Sequence, residues 1–326
     1  MGMKKQNMCL LQYYRSFSIF LILGVWFVSQ VANGQCFSSS GNPVGGSQSM
    51  GALDRGVLTA MGFHRYSYFD RYFEGGSSSD VDILKNADFN FSGISLAYGL
   101  NQQNSVEAEL GYFLNKTKRY KMPAGYSLSG FGLSNAVLLI KRRFYQNHDI
   151  NLTWTASLGA KIPFKQSLQT IDNVRLPFDL QASTCALGGV VQSYLVKQNS
   201  FTGMRYFLYN RLDLNGTSKD GYHYGMSMIN AVFISRHLIK TSSWPVSITL
   251  IAQIRNEIRR PNSLNDEIEQ SSGSYKFFLS PQVNFSMNDI WNISLMTDIP
   301  VYQYYNHIQL ADRISVAISV AKIIVL

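Results

Sequence analysis

Residues 246–259 read VSITLIAQIRNEIR. Val246, Ile248, Leu250, Ala252 and Ile254 fall on one side, and Ser247, Thr249, Gln253, Arg255, Glu257 and Arg259 on the other, with Ile251 the exception. Successive side chains of an extended strand leave on opposite faces, so this period of two specifies a strand with one apolar and one polar face. The pattern recurs. Leu152, Trp154, Ala156, Leu158, Ala160 and Ile162 oppose Asn151, Thr153, Thr155, Ser157, Gly159 and Lys161. Ile314, Val316, Ile318 and Val320 oppose Arg313, Ser315, Ala317, Ser319 and Ala321. A soluble sandwich also alternates, but here the polar side is mostly small, as a barrel interior requires.

Composition agrees. Charged residues make up 15% of the 326, against about 25% in an ordinary soluble chain. Aromatics reach 13%, yet mean hydropathy is only −0.05. Apolar and polar residues are therefore finely interleaved, which suits a wall with lipid on one side and water on the other.

The N-terminus predicts export. Lys4, Lys5 and Arg15 precede an apolar run from Phe17 to Val28, with Ala32 and Gly34 after it. A basic start, a short apolar core and small residues form a secretory signal peptide over 1–34, with cleavage after Gly34. Its removal lowers the net charge from +9 to +6. The remaining excess is diffuse, and no basic run interleaves with aromatics, which argues against nucleic-acid binding. Cys36 and Cys185 remain, too few for a disulfide framework; alternation puts Cys185 on the apolar side of a strand.

No later stretch approaches the 18 apolar residues of a spanning helix. Short polar turns are expected at Asn101–Asn104, Gln146–Asp149, Lys197–Ser200, Lys240–Trp244 and Met287–Asp289. Longer links fall near 70–86, 117–126, 166–180, 214–221 and 259–273, with a final link near Tyr305–Gln309. Short turns at one end and long loops at the other are the habit of a transmembrane β-barrel. The expected fold is thus all-β: an antiparallel transmembrane β-barrel over 57–326, in which the alternating segments number about 12, an even count as such barrels have. Residues 35–56 precede it as a periplasmic tail or small plug. Two aromatic girdles are expected at the interfaces: Tyr66, Tyr68, Phe69, Tyr72, Tyr302, Tyr304 and Tyr305 near the long loops, and Phe144, Tyr145, Tyr194, Phe201, Trp244 and Trp291 near the short turns.

Three stretches carry a resemblance. One runs from Asp54 to Gly76, with Tyr66, Tyr68, Asp70, Arg71, Tyr72 and the Gly75–Gly76 loop. Another is IPVYQYYN at 299–306, followed by Gln309 and Leu310, and the third is CFSSSGNPVGG at 36–46. Together they resemble a family of outer-membrane β-barrel proteins of Bacteroidetes-type bacteria, whose members carry a Pro-x-Tyr-Gln segment before the last strand. The resemblance implies a barrel in the outer membrane and a transporter related in architecture to hydrocarbon-uptake barrels. It names no substrate.

No nucleophile-elbow, zinc-protease, phosphate-loop or paired-cysteine motif is present, and the five histidines are scattered. The chain is read as neither an enzyme nor a cofactor protein. A hydrolase built on Ser227, His223 and Asp220 ranks third among the functions. Charge carries more information. Arg or Lys on the lipid face costs ~2–4 kcal/mol at mid-membrane, so charged strand residues belong inside. Alternation directs Glu107, Glu109, Lys141, Arg143, Lys161, Arg205, Arg211, Asp213, Arg255, Glu257, Arg259, Lys276, Asp298 and Arg313 into the lumen, nine basic and five acidic. The leading expectation is a passive transporter or channel for small polar or anionic solutes, embedded in outer-membrane lipid. Its anion preference is set by Arg255 and Arg259 flanking Glu257. The alternative is a structural or surface-interaction barrel whose lumen is filled by an interlocked salt-bridge network.

Overall fold

A computed structural model describes residues 51–326, apart from 166–167, 172–173, 240–245 and 289. The expected signal peptide, most of the 35–56 segment, Cys36, the Lys240–Trp244 turn and Trp244 lie outside the described residues.

Among the described residues, eleven wall strands form a closed antiparallel meander. They are β1 (Val57–Gly75), β2 (Leu84–Gly99), β3 (Asn104–Tyr120), β4 (Ala136–Asn147), β5 (Leu152–Ile162) and β6 (Gly188–Gln198), then β7 (Met204–Asn215), β8 (Ser227–Ile239), β9 (Val246–Arg259), β10 (Ser274–Met287) and β11 (Trp291–Val325). Each pairs with its chain neighbour, and β11 closes the ring on β1, from Val57 opposite Val325 to Gly75 opposite Tyr305. Two further strands of the same sheet lie off the ring, Ser77–Ser78 on β1 and Ser127–Leu133 on the upper part of β3.

The ring has eleven strands where about 12 were expected, and the difference falls on β11, which runs for 35 residues. Its Trp291–Tyr305 portion pairs with β10, whereas Tyr305–Val325 pairs with β1.

The links alternate as expected. Short ones span 100–103, 148–151, 199–203 and 288–290, and long ones span 76–83, 121–135, 163–187, 216–226 and 260–273. Three short turns use one device. Asn101 Oδ1 accepts the amides of Gln103 and Asn104 at 2.9 and 2.8 Å. Asn147 does the same for Asp149 and Ile150, and Asn199 for Phe201 and Thr202. A side chain that imitates a backbone turn stops each strand abruptly.

Burial runs opposite to that of a soluble protein. In β9 the polar residues Thr249, Gln253, Arg255, Glu257 and Arg259 are buried, while Leu250 and Ile254 are 43% and 59% exposed. Not every inward residue is polar. Val137 and Leu139 of β4 face in, with Leu138 and Ile140 outward, so this apolar run still alternates. Phe63, Phe91 and Phe113 form an inward cluster with Phe89 and Leu180. Gly111 makes room for it: a Cβ there would sit inside the Phe91 ring.

Of the expected girdle residues, Tyr66, Tyr302, Tyr304, Phe144, Tyr145, Phe201 and Trp291 are exposed. The expectation fails for Phe69, Tyr305 and Tyr194, which are buried. Phe69 joins the inward aromatic cluster, and Tyr194 packs against Tyr209. Cys185 is also displaced from its expected strand; it lies buried in the link before β6 with φ of 54°.

Candidate functional site

The lumen holds the charged residues, and their strands bring them together in two groups. In the first, Asp298 of β11 accepts from Arg65 of β1 at 2.7 Å and from Arg255 of β9 at 3.1 Å, with Ser280 of β10 on its second oxygen. The Arg255 guanidinium lies 4.5 Å from the centre of the Phe278 ring. One turn of pleat above, Arg259 bonds Glu257 at 2.6 Å, and Lys276 bridges Glu257 at 3.8 Å and Asp312 at 2.8 Å.

The second group joins strands that are not neighbours in the ring. Arg211 of β7 holds Asp213 at 2.9 Å on its own strand and reaches Glu109 of β3 at 3.2 Å. Since β4, β5 and β6 intervene between those strands, the Glu109–Arg211 pair crosses the lumen. Lys161 donates to Asn215 at 2.9 Å and stands 4.0 Å from Asp213. Deeper, Glu107 pairs with Lys141 and accepts from Ser95 at 2.7 Å.

Of the expected lumen residues, Glu107, Lys141, Arg211, Asp213, Arg255, Glu257, Arg259, Lys276 and Asp298 are buried there, and Glu109 and Lys161 nearly so. Arg205 keeps its inward parity but sits half-buried at the short-turn rim, donating to Gln198 at 3.2 Å. Arg143 lies at the same rim and donates to the carbonyl of Ala52 at 2.8 Å, so it grips the segment leading into β1. Arg313 is misassigned: its side chain is 52% exposed, and Asp312 points inward instead. The cause is a bulge. Tyr68 pairs with Ile314 but Phe69 pairs with Asp312, which leaves Arg313 unopposed and reverses the alternation beyond it.

Arg65, Lys116, Asp179 and Asp312 are buried charges that alternation did not point to. Arg65 was readable, because a charge within a spanning strand belongs inside. Lys116 follows a second bulge, at Leu114 between the Asn90–Asn115 and Phe91–Phe113 pairs.

At the long-loop end the described later part of the 163–187 link turns into the barrel. Leu176, Asp179, Leu180 and Gln181 are all buried. Lys118 pairs with Asp179, and Lys116 donates to the Gln181 carbonyl at 3.0 Å. The side-chain oxygen of Asn135 accepts from Ser183 at 2.5 Å. Phe178 stacks on Tyr222 with ring centres 3.5 Å apart, and Tyr224 donates to the Phe178 carbonyl at 2.8 Å. A glycine is required at 130, because a Cβ there would collide with the Leu180 carbonyl. Burial, and next the Glu269 carboxylate it donates to at 2.7 Å, push the Tyr222 phenol well above its ordinary range. Between the link and the Glu109–Arg211 pair lies a cavity of about 130 Å³.

The trio Ser227, His223 and Asp220 is directed elsewhere: Asp220 pairs with Arg175 at 3.3 Å, and His223 pairs in a small sheet opposite Ser263.

No protein-family model matches the chain, and no curated protein matches it. Among solved structures, it is similar to an outer membrane channel from Pseudomonas putida F1: 11% identity over 87% of this chain and 99% of that one, with a TM-score of 0.67. Looser likenesses are the translocator domain of the autotransporter NalP from Neisseria meningitidis (10% identity, 83% and 89% covered, TM-score 0.43) and the CymD monoaromatic hydrocarbon channel (9%, 83% and 89%, 0.38). This chain therefore shares the closed antiparallel barrel fold of the Pseudomonas putida F1 channel.

Proposed function

We propose that the chain is exported by a cleaved 1–34 signal peptide to the outer membrane of a Gram-negative bacterium, where it is a passive channel or transporter for small polar or anionic solutes. The observation that carries this is the inverted wall: a closed strand ring, apolar outside and charged within, has no stable home in water. The resemblance of the three quoted stretches to outer-membrane barrels of Bacteroidetes-type bacteria supports the location. We count twelve crossings. A ring whose neighbours are all antiparallel alternates direction and cannot close with an odd number, so β11 is read as two crossings that reverse near His307, where φ is 46°. An even count sets both ends of the barrel chain on the short-turn side, which we read as periplasmic. The grip of Arg143 on Ala52 and Asp54 supports residues 35–56 as a tail or small plug at that mouth.

The inward link and the cross-lumen Glu109–Arg211 pair favour the alternative, a structural or surface-interaction barrel without a conducting pore. Single-channel recording decides between them. Under the channel reading the wild type conducts, selects anions, and loses that preference in the Arg255→Gln/Arg259→Gln double variant. Glu109→Gln, which frees one end of the crossing pair, raises conductance at least twofold. Silence in both wild type and Glu109→Gln, with the protein folded, refutes the channel.

A further inference from the structure

Residues 51–56, which lead into β1, cross the short-turn mouth of the barrel and are pinned to one strand after another. Gly56 donates to the Gly99 carbonyl of β2 at 3.0 Å. The Asp54 carbonyl lies so close to Gly99 that a Cβ there would collide with it. Arg143 of β4 donates to the Ala52 carbonyl at 2.8 Å and to the Asp54 carboxylate at 3.1 Å. Gly51 then comes against β5, where a Cβ on it would stand 3.8 Å from the Thr155 hydroxyl. Thr155 faces inward, is 1% exposed, and is the fourth residue of its strand from the short-turn end. At ~3.4 Å per residue, Gly51 meets the wall roughly 10 Å along the strand from its rim. Followed back from β1, the chain is thus directed into the lumen.

The lower half of the wall formed by β9, β10 and β11 is uncharged on its inner face. Thr249, Gln253, Gln282, Asn284, Asn292 and Ser294 stand there, all buried. Both amide ends of Gln253 and Asn292, the side-chain carbonyl of Gln282 and the Thr155 hydroxyl have no hydrogen-bond partner among the described residues. A buried polar group left unpaired costs about 1–3 kcal/mol, so this wall calls for an occupant that carries both donors and acceptors.

The chain just before Gly51 has that chemistry. Residues 35–50 read QCFSSSGNPVGGSQSM, with no charged side chain and eight that carry a hydroxyl or an amide. An uncharged segment can enter an uncharged lumen section without stranding a charge there. Its hydroxyls, amides and backbone supply donors and acceptors together. Sixteen extended residues reach roughly 50 Å, twice the ~25 Å height of a barrel's apolar band, so the segment can cross from β5 to the far strands.

We infer that the lower lumen is the docking surface for residues 35–50, which lie against the amides of Gln253, Gln282 and Asn292, with water completing the remaining bonds. The inference rests on the proposed cleavage after Gly34, which makes this segment the start of the mature chain. It commits to the lumen where that reading leaves a choice between tail and plug.

Cys36 supplies the test. In a Cys185→Ser background, one cysteine is added to the full chain at a time: Gln253→Cys, Gln282→Cys or Asn292→Cys in the lower lumen, Leu295→Cys on the outer face, and Phe201→Cys in a short turn. Isolated outer membranes are oxidised, and thiols still free after denaturation are counted by the gel shift of a polyethylene-glycol maleimide. Heat-modified migration shows that each variant is folded. At least one lower-lumen cysteine is expected to join Cys36 at least tenfold faster than Leu295→Cys or Phe201→Cys does. Equal or faster joining at Phe201→Cys marks a tail outside the lumen and overturns the inference, and so does no joining at any of the three lumen positions in folded protein. Two further measurements keep the readings apart. An intact mass that begins at Met1 refutes the cleavage, while the cross-links still decide the docking. In single-channel recording, a cross-linked barrel that stays silent even after reduction refutes the channel and keeps the docking, and conduction without cross-linking does the reverse.

Discussion

The wall formed by β9, β10 and the first part of β11 changes character halfway up. From the short-turn end, the inward residues of β9 run Thr249, Ile251 and Gln253, then Arg255, Glu257 and Arg259. On β10 the lower half carries Gln282 and Asn284, and the upper half Lys276 and Ser280. On β11, Asn292 and Ser294 lie below Asp298. The upper half is knitted by ion pairs that leave little over beyond the Nε of Arg255 and the Ser274 hydroxyl. The lower half leaves both amide ends of Gln253 and Asn292, and the carbonyl of Gln282, without a hydrogen-bond partner among the described residues. Buried polar groups of this kind are ordinarily met by water. One strand set thus makes an upper section tied together by ion pairs and a lower section suited to hydration.

The sharpest way to break this comparison is Asp298→Asn. It removes the carboxylate that Arg65 and Arg255 share, and stranding buried charge costs about 3–5 kcal/mol. The urea midpoint of unfolding should fall accordingly, and an unchanged midpoint would mean that water already screens the cluster.

Next is the closure of the long-loop end. Tyr222→Phe deletes the donor to Glu269, and a hydrogen bond to a charged group is worth roughly 1.5–3 kcal/mol. Limited proteolysis should cut the 163–187 link faster. The same bond has a pH signature. The Tyr222 phenol is raised in the closed state by burial and by Glu269, so the opened loop releases its proton first. Closure is therefore complete below about pH 10, the ordinary phenol value, and weakens as pH rises beyond it. Protection that stays flat through that range in wild type, or a Tyr222→Phe variant that keeps the alkaline loss, would contradict the assignment.

A smaller effect is expected in the lower half. Gln253→Leu exchanges a hydrated amide for an apolar side chain of similar reach, and the shift in unfolding free energy should stay under about 1 kcal/mol. A loss as large as that of Asp298→Asn would show that Gln253 is a structural partner and erase the contrast. Smallest of all is Arg313→Gln, within about 0.5 kcal/mol for an exposed site. A large loss there would place Arg313, rather than Asp312, inside.

Much of the barrel was legible before any coordinates. The alternation in 246–259 and 152–162 identified both faces of those strands, and the short polar stretches at 101–104, 146–149 and 197–200 marked three of the short turns. The inward assignments failed where one extra residue enters a strand. At Leu114 and Arg313 a bulge reverses parity, and nothing in the local composition announces it. The inward aromatics Phe69, Tyr194 and Tyr305 were hidden for another reason: a ring suits an interface girdle and a lumen cluster equally, and only the facing strand decides.

The amino-acid sequence by itself determined that the strands have two faces and that charge lies on the inner one, because both follow from the period-two backbone and the cost of charge in lipid. Only the tertiary structure decided which charges meet. Arg255 and Asp298 are 43 residues apart, Glu109 and Arg211 are 102 apart, and Arg65 and Asp298 are 233 apart. The inward turn of residues 176–181, and the cavity beneath them, were likewise set by the assembled ring. Register and ring closure are properties of the whole sheet, and no window of local sequence contains them.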